Sequence, residues 1–324
     1  MLFSTKNKFF GLLLLISSVV FSQTLPCKNS TINDGLPSNS IKCIFKDSRG
    51  LLWIGTEAGL CCYNGKEYKI YNESNGLKYN NVWGITEDNQ QNLWCSLYGE
   101  GIAKFDGKKF KYYNTNDGLI HNNVRKIHFS KKFNCLILGT EDGLSLFDGK
   151  RFKSFKEKTI IDKFQTMGIN EDENRIFISV NWHKTFNLKL DKDISKSKLI
   201  PIVKSTGSFS SFINNNYLYN YSSNNYLQEQ NLSTKVIRVF PSNLIWDFAS
   251  DLENNIYCAS WNVVDPKGGL YQLSKTNFKD ITKKANITST SLWCLYFDKE
   301  SEQLWVGTIV VLHRFVDFKV NYLV

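Results

Sequence analysis

The 324-residue chain combines 14% aromatic residues with only 22% charged ones, five prolines and a formal net charge of +10. That balance supplies apolar bulk for a large core and excludes a disordered chain. No block of five or six like charges occurs, so the excess lysine reads as scattered solvating surface and argues against a nucleic-acid partner, leaving acidic sugars or anionic surfaces open.

Lys6 and Lys8 precede an apolar stretch from Phe9 to Phe21, and Val20-Phe21-Ser22 offers a small-residue cleavage site. Residues 1–22 are therefore expected to be a signal peptide, with the mature chain starting at Gln23. The stretch is shorter than the roughly 20 residues a stable span needs. An uncleaved anchor is the alternative, and Leu25-Pro26 disfavours lipidation of Cys27. No second apolar run follows, so no membrane span is expected after cleavage, and the location is exported, periplasmic or secreted. Residues 23–34 form an N-terminal segment that is a candidate closing strand.

From residue 35 the chain repeats itself about every 40 residues. Gly35-Leu36-Pro37-Ser38-Asn39-Ser40-Ile41 returns as Gly76-Leu77-Lys78-Tyr79-Asn80-Asn81-Val82 and as Gly118-Leu119-Ile120-His121-Asn122-Asn123-Val124. Each copy continues with Asp or Ser, a turn and an apolar run, then Gly-Leu and a hairpin turn at Tyr63-Asn64-Gly65, Phe105-Asp106-Gly107 or Phe147-Asp148-Gly149. Asn-Gly and Asp-Gly between apolar runs mark hairpins, because the tight turn needs positive φ at both central residues. Each unit thus reads as four strands: A (Ile41 to Lys46), B (Leu51 to Thr56), C (Leu60 to Tyr63) and D (Tyr68 to Tyr71). A period near 40 with four strands predicts an all-β propeller of antiparallel blades. One slot of strand B is filled in turn by Trp53, Trp94, Ile137, Phe177, Tyr219, Tyr257 and Trp305. The count is seven blades, at approximately 35–72, 73–114, 115–156, 157–200, 201–240, 241–283 and 284–324. The fifth repeat is Asn- and Ser-rich and lacks its glycines; without it the count is six. Either residues 23–32 or 315–322 are expected to supply the strand that closes the ring.

The eight cysteines fit no zinc or redox spacing, and Cys43, Cys95, Cys258 and Cys294 fall on predicted central strands. Free, mostly buried thiols are expected. Cys43 and Cys294 share a slot in the first and last repeats, which leaves one bridge open.

The run from Gly35 to Ile41, with Asp47-Ser48-Arg49-Gly50-Leu51-Leu52-Trp53-Ile54-Gly55-Thr56 and Gly59-Leu60 behind it, resembles the two-component regulator propeller repeat. The resemblance covers most of the chain, and it implies the extracytoplasmic sensing part of membrane histidine kinases of the Bacteroidetes hybrid type, often sensing oligosaccharides. The sequence contains no second propeller, immunoglobulin-like module, later span or kinase. What the resemblance implies is therefore a sensing or ligand-binding module in signal transduction. Its kinase would be a separate membrane histidine kinase or would have been lost. A protein-interaction scaffold docking another exported protein is the alternative.

A ligand is expected where D–A and B–C loops gather around the central channel. Trp83, Trp246 and Trp293 share one slot there, two residues before an apolar anchor of strand A, and Lys42, Arg125 and Met167 fill it in other repeats. Trp182, Trp261 and Tyr98 fall in B–C loops on the same predicted face, with His121 and His183 nearby. Flat aromatic rings stack on sugars, while Lys and Arg pair with carboxylate or sulfate, so an oligosaccharide, including an acidic one, is the expected ligand. The competing expectation is that these tryptophans plug a narrow channel. No catalytic motif, metal site or cofactor is expected. A less favoured alternative is an enzyme resembling the streptogramin-type lyases, which would use His183 with Glu141.

Overall fold

The computed structural model describes residues 25–156, 164–180, 184–202, 208–222, 225–261, 268–274 and 277–316. The expected signal peptide, Trp182 and His183 lie outside these residues. Each repeat forms one four-stranded antiparallel sheet, and there are seven sheets. The inner strand of each blade touches that of the next, and the seventh touches the first, so the ring is closed. The fold is an all-β propeller of seven blades. The fifth, Asn-rich repeat is a blade like the others, with strands Ser208–Asn214, Tyr217–Ser222, Tyr226–Asn231 and Ile237–Pro241.

In the first blade the strands are Ile41–Lys46, Leu52–Thr56, Gly59–Tyr63 and Tyr68–Tyr71. The middle two are buried at every position because both faces of a blade meet neighbours. All seven residues of the strand-B slot lie on the second strand and are buried. Trp53 and Trp94 pack edge-on against Phe105 and Phe147 of the following blade, so this slot is the hydrophobic seam between blades.

The aspartate ahead of the slot has two duties. Its outer oxygen takes the indole N–H of Trp53 (Asp47) or Trp94 (Asp88), both at 2.9 Å, while the other oxygen accepts backbone N–H groups of the A–B turn. Blade 6 repeats the device with Asp251 and the Tyr257 hydroxyl at 2.9 Å. Burial alone would raise the carboxyls of Asp47 and Asp88, but these bonds outweigh it and hold both below the usual range. Asp88→Ala leaves a buried indole N–H and turn amides unpaired, and is expected to cost about 2 kcal/mol in urea unfolding; a loss within a few tenths would assign the turn's stability elsewhere.

The Gly-Leu signature also has a local cause. A single 3-10 turn precedes it in the first three repeats, capped by Thr31, Asn72 and Asn114, whose own backbone N–H groups donate in return to the side chains of Asp34, Asn75 and Asp117. The turn ends in a left-handed residue at Gly35, Gly76 and Gly118 (φ 106°, 113° and 106°). The leucine after it drops into the core.

The fourth strand of the seventh sheet comes from the other end of the chain. Cys27–Ser30 pairs antiparallel with Leu312–Phe315, Cys27 opposite Phe315 and Ser30 opposite Leu312. The Tyr68 hydroxyl of blade 1 bonds Ser30 Oγ at 2.9 Å and ties this strand to the next blade.

All eight cysteines are free, so the bridge left open between Cys43 and Cys294 does not form. The same slot in adjacent blades points the same way round the ring. Cys43 Sγ faces the Val82 carbonyl of blade 2, while Cys294 Sγ packs at Gly307 beside Ile41 of blade 1. Burial pushes the Cys43 thiol up to about 12 and the Cys294 thiol upward as well.

Candidate functional site

Every inner strand begins with a register shift against its neighbour. The extra residue is Lys42, Trp83, Arg125, Met167, Phe209, Trp246 or Trp293, one per blade. A β-bulge leaves one residue without a cross-strand partner and re-aims its side chain. The slot picked out in the sequence is this bulge, and Lys42, Trp83, Arg125, Met167, Trp246 and Trp293 converge on the channel mouth.

The B–C loops stand on the same face. Tyr98, Glu141, Trp261 and Ile309 each donate a backbone N–H to a residue just ahead of their own blade's inner strand, namely Asn81, Asn123, Leu244 and Ser291. The rings form one connected surface. Tyr98 stacks on Trp83 (4.5 Å between centroids, 19° between planes), Trp83 meets Trp293 at 5.8 Å, Trp293 meets Trp246 edge-on at 4.5 Å, and Trp261 touches both Trp293 and Trp246. The Trp83 indole donates to Asn81 Oδ1 at 2.8 Å, whereas the Trp293 indole N–H is buried without a partner among the described residues. The remaining hollow among these side chains is about 20 Å³, room for roughly one water. The tryptophans therefore fill the channel mouth, and what they offer a ligand is a surface instead of a socket.

Two of the three cations of the cluster, Lys42 and Arg125, are paired with carboxylates of the protein. Lys42 Nζ lies 4.0 Å above the Trp293 ring and 2.5 Å from Glu57 Oε1, with its side chain only 6% exposed. The Arg125 guanidinium packs over Trp83 and Tyr98 and bonds Glu141 at 2.6 Å. Glu141 also accepts the Tyr98 hydroxyl and the Asn123 amide. Burial alone would raise the Glu141 carboxyl, but these three bonds hold it below the usual range. Lys42 likewise holds Glu57 low. A carboxylate clamped this way is a poor proton acceptor.

His121 sits in the loop before the third inner strand, its Nδ1 accepting the Asn123 N–H at 2.9 Å. It joins the cluster only through Asn123. Tyr98, Arg125, Lys42 and the tryptophans 83, 246, 261 and 293 are thus brought together, His121 lies at one remove, and Trp182 and His183 lie outside the described residues. Among the described residues no group of three or more His, Cys, Asp or Glu side chains is arranged to hold a metal, and no helix is long and apolar enough to cross a membrane.

Sequence reasoning missed Asp247, the residue after the bulge in blade 6. It is half-buried and accepts the Leu295 N–H of blade 7 at 2.9 Å. Burial raises its carboxyl, opposed by the charge of Lys126, which also lines the plug, and by backbone bonds. An acidic residue in a slot otherwise filled by Cys43, Gly84, Lys126, Gly168, Ser210 and Cys294 was the available signal.

Seven four-stranded blades with a loop-lined face define a seven-bladed β-propeller. The model of the two component regulator propeller family matches residues 35–58, within the first repeat. In structure the chain is similar to the extracellular domains of two hybrid two component systems of B. thetaiotaomicron. The TM-scores are 0.70 and 0.69 at 18% and 17% identity, over 90% of this chain in each case. It spans about two fifths of their length, 41% and 40%. It is also similar to PorZ, a surface component of the type-IX secretion system of Porphyromonas gingivalis (TM-score 0.69, 13% identity, 87% of this chain and 47% of PorZ). No curated protein matches the sequence.

Proposed function

We propose that this chain is an exported sensing propeller that binds an oligosaccharide across its aromatic face and acts in signal transduction with a membrane histidine kinase. The fold shared with extracellular domains of hybrid two component systems supports the sensing role. The observation that carries the ligand reading is the joined surface of Tyr98, Trp83, Trp293, Trp246 and Trp261, whose rings are all half-buried. Partly exposed indoles offer flat apolar faces to sugar rings at little entropic cost. Since Lys42 and Arg125 already hold internal carboxylates, the reading favours a neutral sugar over the acidic one. The clamped Glu141 argues against an enzyme.

The test is thermal shift and tryptophan quenching with maltoheptaose, cellohexaose, xylohexaose and a sulfated heparin oligosaccharide. Trp246→Ala and Trp83→Ala are each expected to weaken binding about tenfold or more, as loss of a central aromatic anchor does. Absence of binding to every neutral sugar, or equal binding in both variants, overturns the reading. Tight binding of the sulfated sugar alone would return the ligand to the acidic class.

A further inference from the structure

The third cation of the aromatic cluster is Lys126, one residue further along the inner strand of blade 3 than the bulged Arg125. Its ammonium makes no ion pair or hydrogen bond among the described residues. The carboxylate whose charge it meets, Asp247 of blade 6, is engaged by the Leu295 N–H at 2.9 Å. Two further donors share its surroundings. The Nε–H of Arg125, whose guanidinium reaches Glu141 through Nη2, and the indole N–H of Trp293 are both buried without an acceptor among the described residues. All three side chains line the hollow of about 20 Å³ in the channel mouth. Six of the seven blades contribute to that lining, so the hollow lies on the axis of the ring.

A buried donor without an acceptor is costly, and native proteins leave few of them. Three donors around one hollow therefore point to an acceptor that belongs there, and the lining says of what kind. It holds three cationic side chains and no carboxylate, since Glu57 and Glu141, the partners of Lys42 and Arg125, stand outside it. Lys126 is thus the one cation of the lining not paired to a carboxylate. Apart from the weakly accepting Met167 sulfur, the polar side-chain atoms of the lining are donors. A water molecule has two hydrogens of its own to place, whereas a halide ion only accepts. The space is that of about one water, which admits chloride or bromide and excludes sulfate, phosphate or a carboxylate group. Indole walls keep the local dielectric low and strengthen an ionic contact made inside.

We propose that this hollow binds one halide ion, chloride in a saline medium, held by Lys126 Nζ, Arg125 Nε and Trp293 Nε1 on the axis of the ring. The ion ties blade 3 to blade 7 across the channel and fixes the Trp293 ring. The proposal stands apart from the sugar reading, because every measurement that tests it is made without sugar. The full chain is purified in sodium gluconate and titrated with sodium chloride at constant ionic strength. The chlorine NMR line is expected to broaden, and to sharpen again when bromide displaces the ion. The melting temperature is expected to rise by about 3 °C or more. Lys126→Met, and Trp293→Phe, which keeps a ring but removes the N–H, are each expected to weaken chloride binding about tenfold or more. Lys150→Met, at an exposed hairpin turn, is expected to leave it unchanged. Should Lys126→Met fail to fold, Trp293→Phe decides. No broadening, with equal melting in chloride and gluconate, overturns the proposal and leaves the hollow to water. Displacement by sulfate as readily as by bromide overturns it as well. So does a chloride effect that persists in full in Lys126→Met or Trp293→Phe, since the ion then lies elsewhere.

Discussion

A chain that begins at Thr31 is expected to melt roughly 10 °C or more below one that begins at Leu25. The four residues Cys27–Ser30 cover the edge of Leu312–Phe315 in the seventh blade, where Leu312 and Phe315 are fully buried. Exposing two such side chains costs about 3–6 kcal/mol, a large part of the ~5–15 kcal/mol that holds a domain together. For a chain of this size each kcal/mol shifts the midpoint by roughly 2–4 °C. Loss of the Ser30 to Tyr68 bond also detaches blade 7 from blade 1. A synthetic peptide of residues 25–30 added in trans should restore part of the loss, and Lys28→Ala, at an exposed position of the strand, should change little. A truncated chain that melts with the longer one would show that inner-strand contacts alone lock the ring.

How much of this was legible in sequence depended on whether a residue's role is local. The turn signals were: Gly35, Gly76 and Gly118 end capped 3-10 turns, and their positive φ leaves little choice of residue. The strand-B slot was legible even in the worn repeats, since Tyr219 and Tyr257 keep the slot large and apolar where two blades must touch. The convergence of Lys42, Trp83, Arg125, Trp246 and Trp293 was legible as a shared position, but not as a β-bulge, because one extra residue per strand leaves no mark on a pattern of near-constant period. The internal pairing of Lys42 with Glu57 and of Arg125 with Glu141 could have been read from the same loop slot recurring as Glu.

Lowering the pH from 6.5 to 4 is expected to cost the protein about 3 kcal/mol of stability through one residue, His313. It sits on the strand that receives the closing segment, 1% exposed, with Nδ1 2.7 Å from Asn29 Oδ1 and with Nε2 buried and without a partner among the described residues. Burial pushes the imidazole down to about 4 from an ordinary value near 6.5. The unfolded chain therefore binds a proton that the folded chain refuses between these two values, and stability rises with pH across that window. The contribution is complete above pH 6.5 and is lost as pH falls towards 4, because a charged ring cannot stay in the apolar seam formed with Phe315. Asp247 works in the opposite sense, since burial raises its carboxyl, so the wild-type slope alone does not isolate the histidine. The difference from His313→Gln does: the variant keeps a polar partner for Asn29 and carries no charge at any pH. Urea unfolding at intervals from pH 7 to pH 4 should give two curves that converge as the acid end is approached. Parallel curves would mean that His313 takes up its proton in the folded ring as easily as in the unfolded chain.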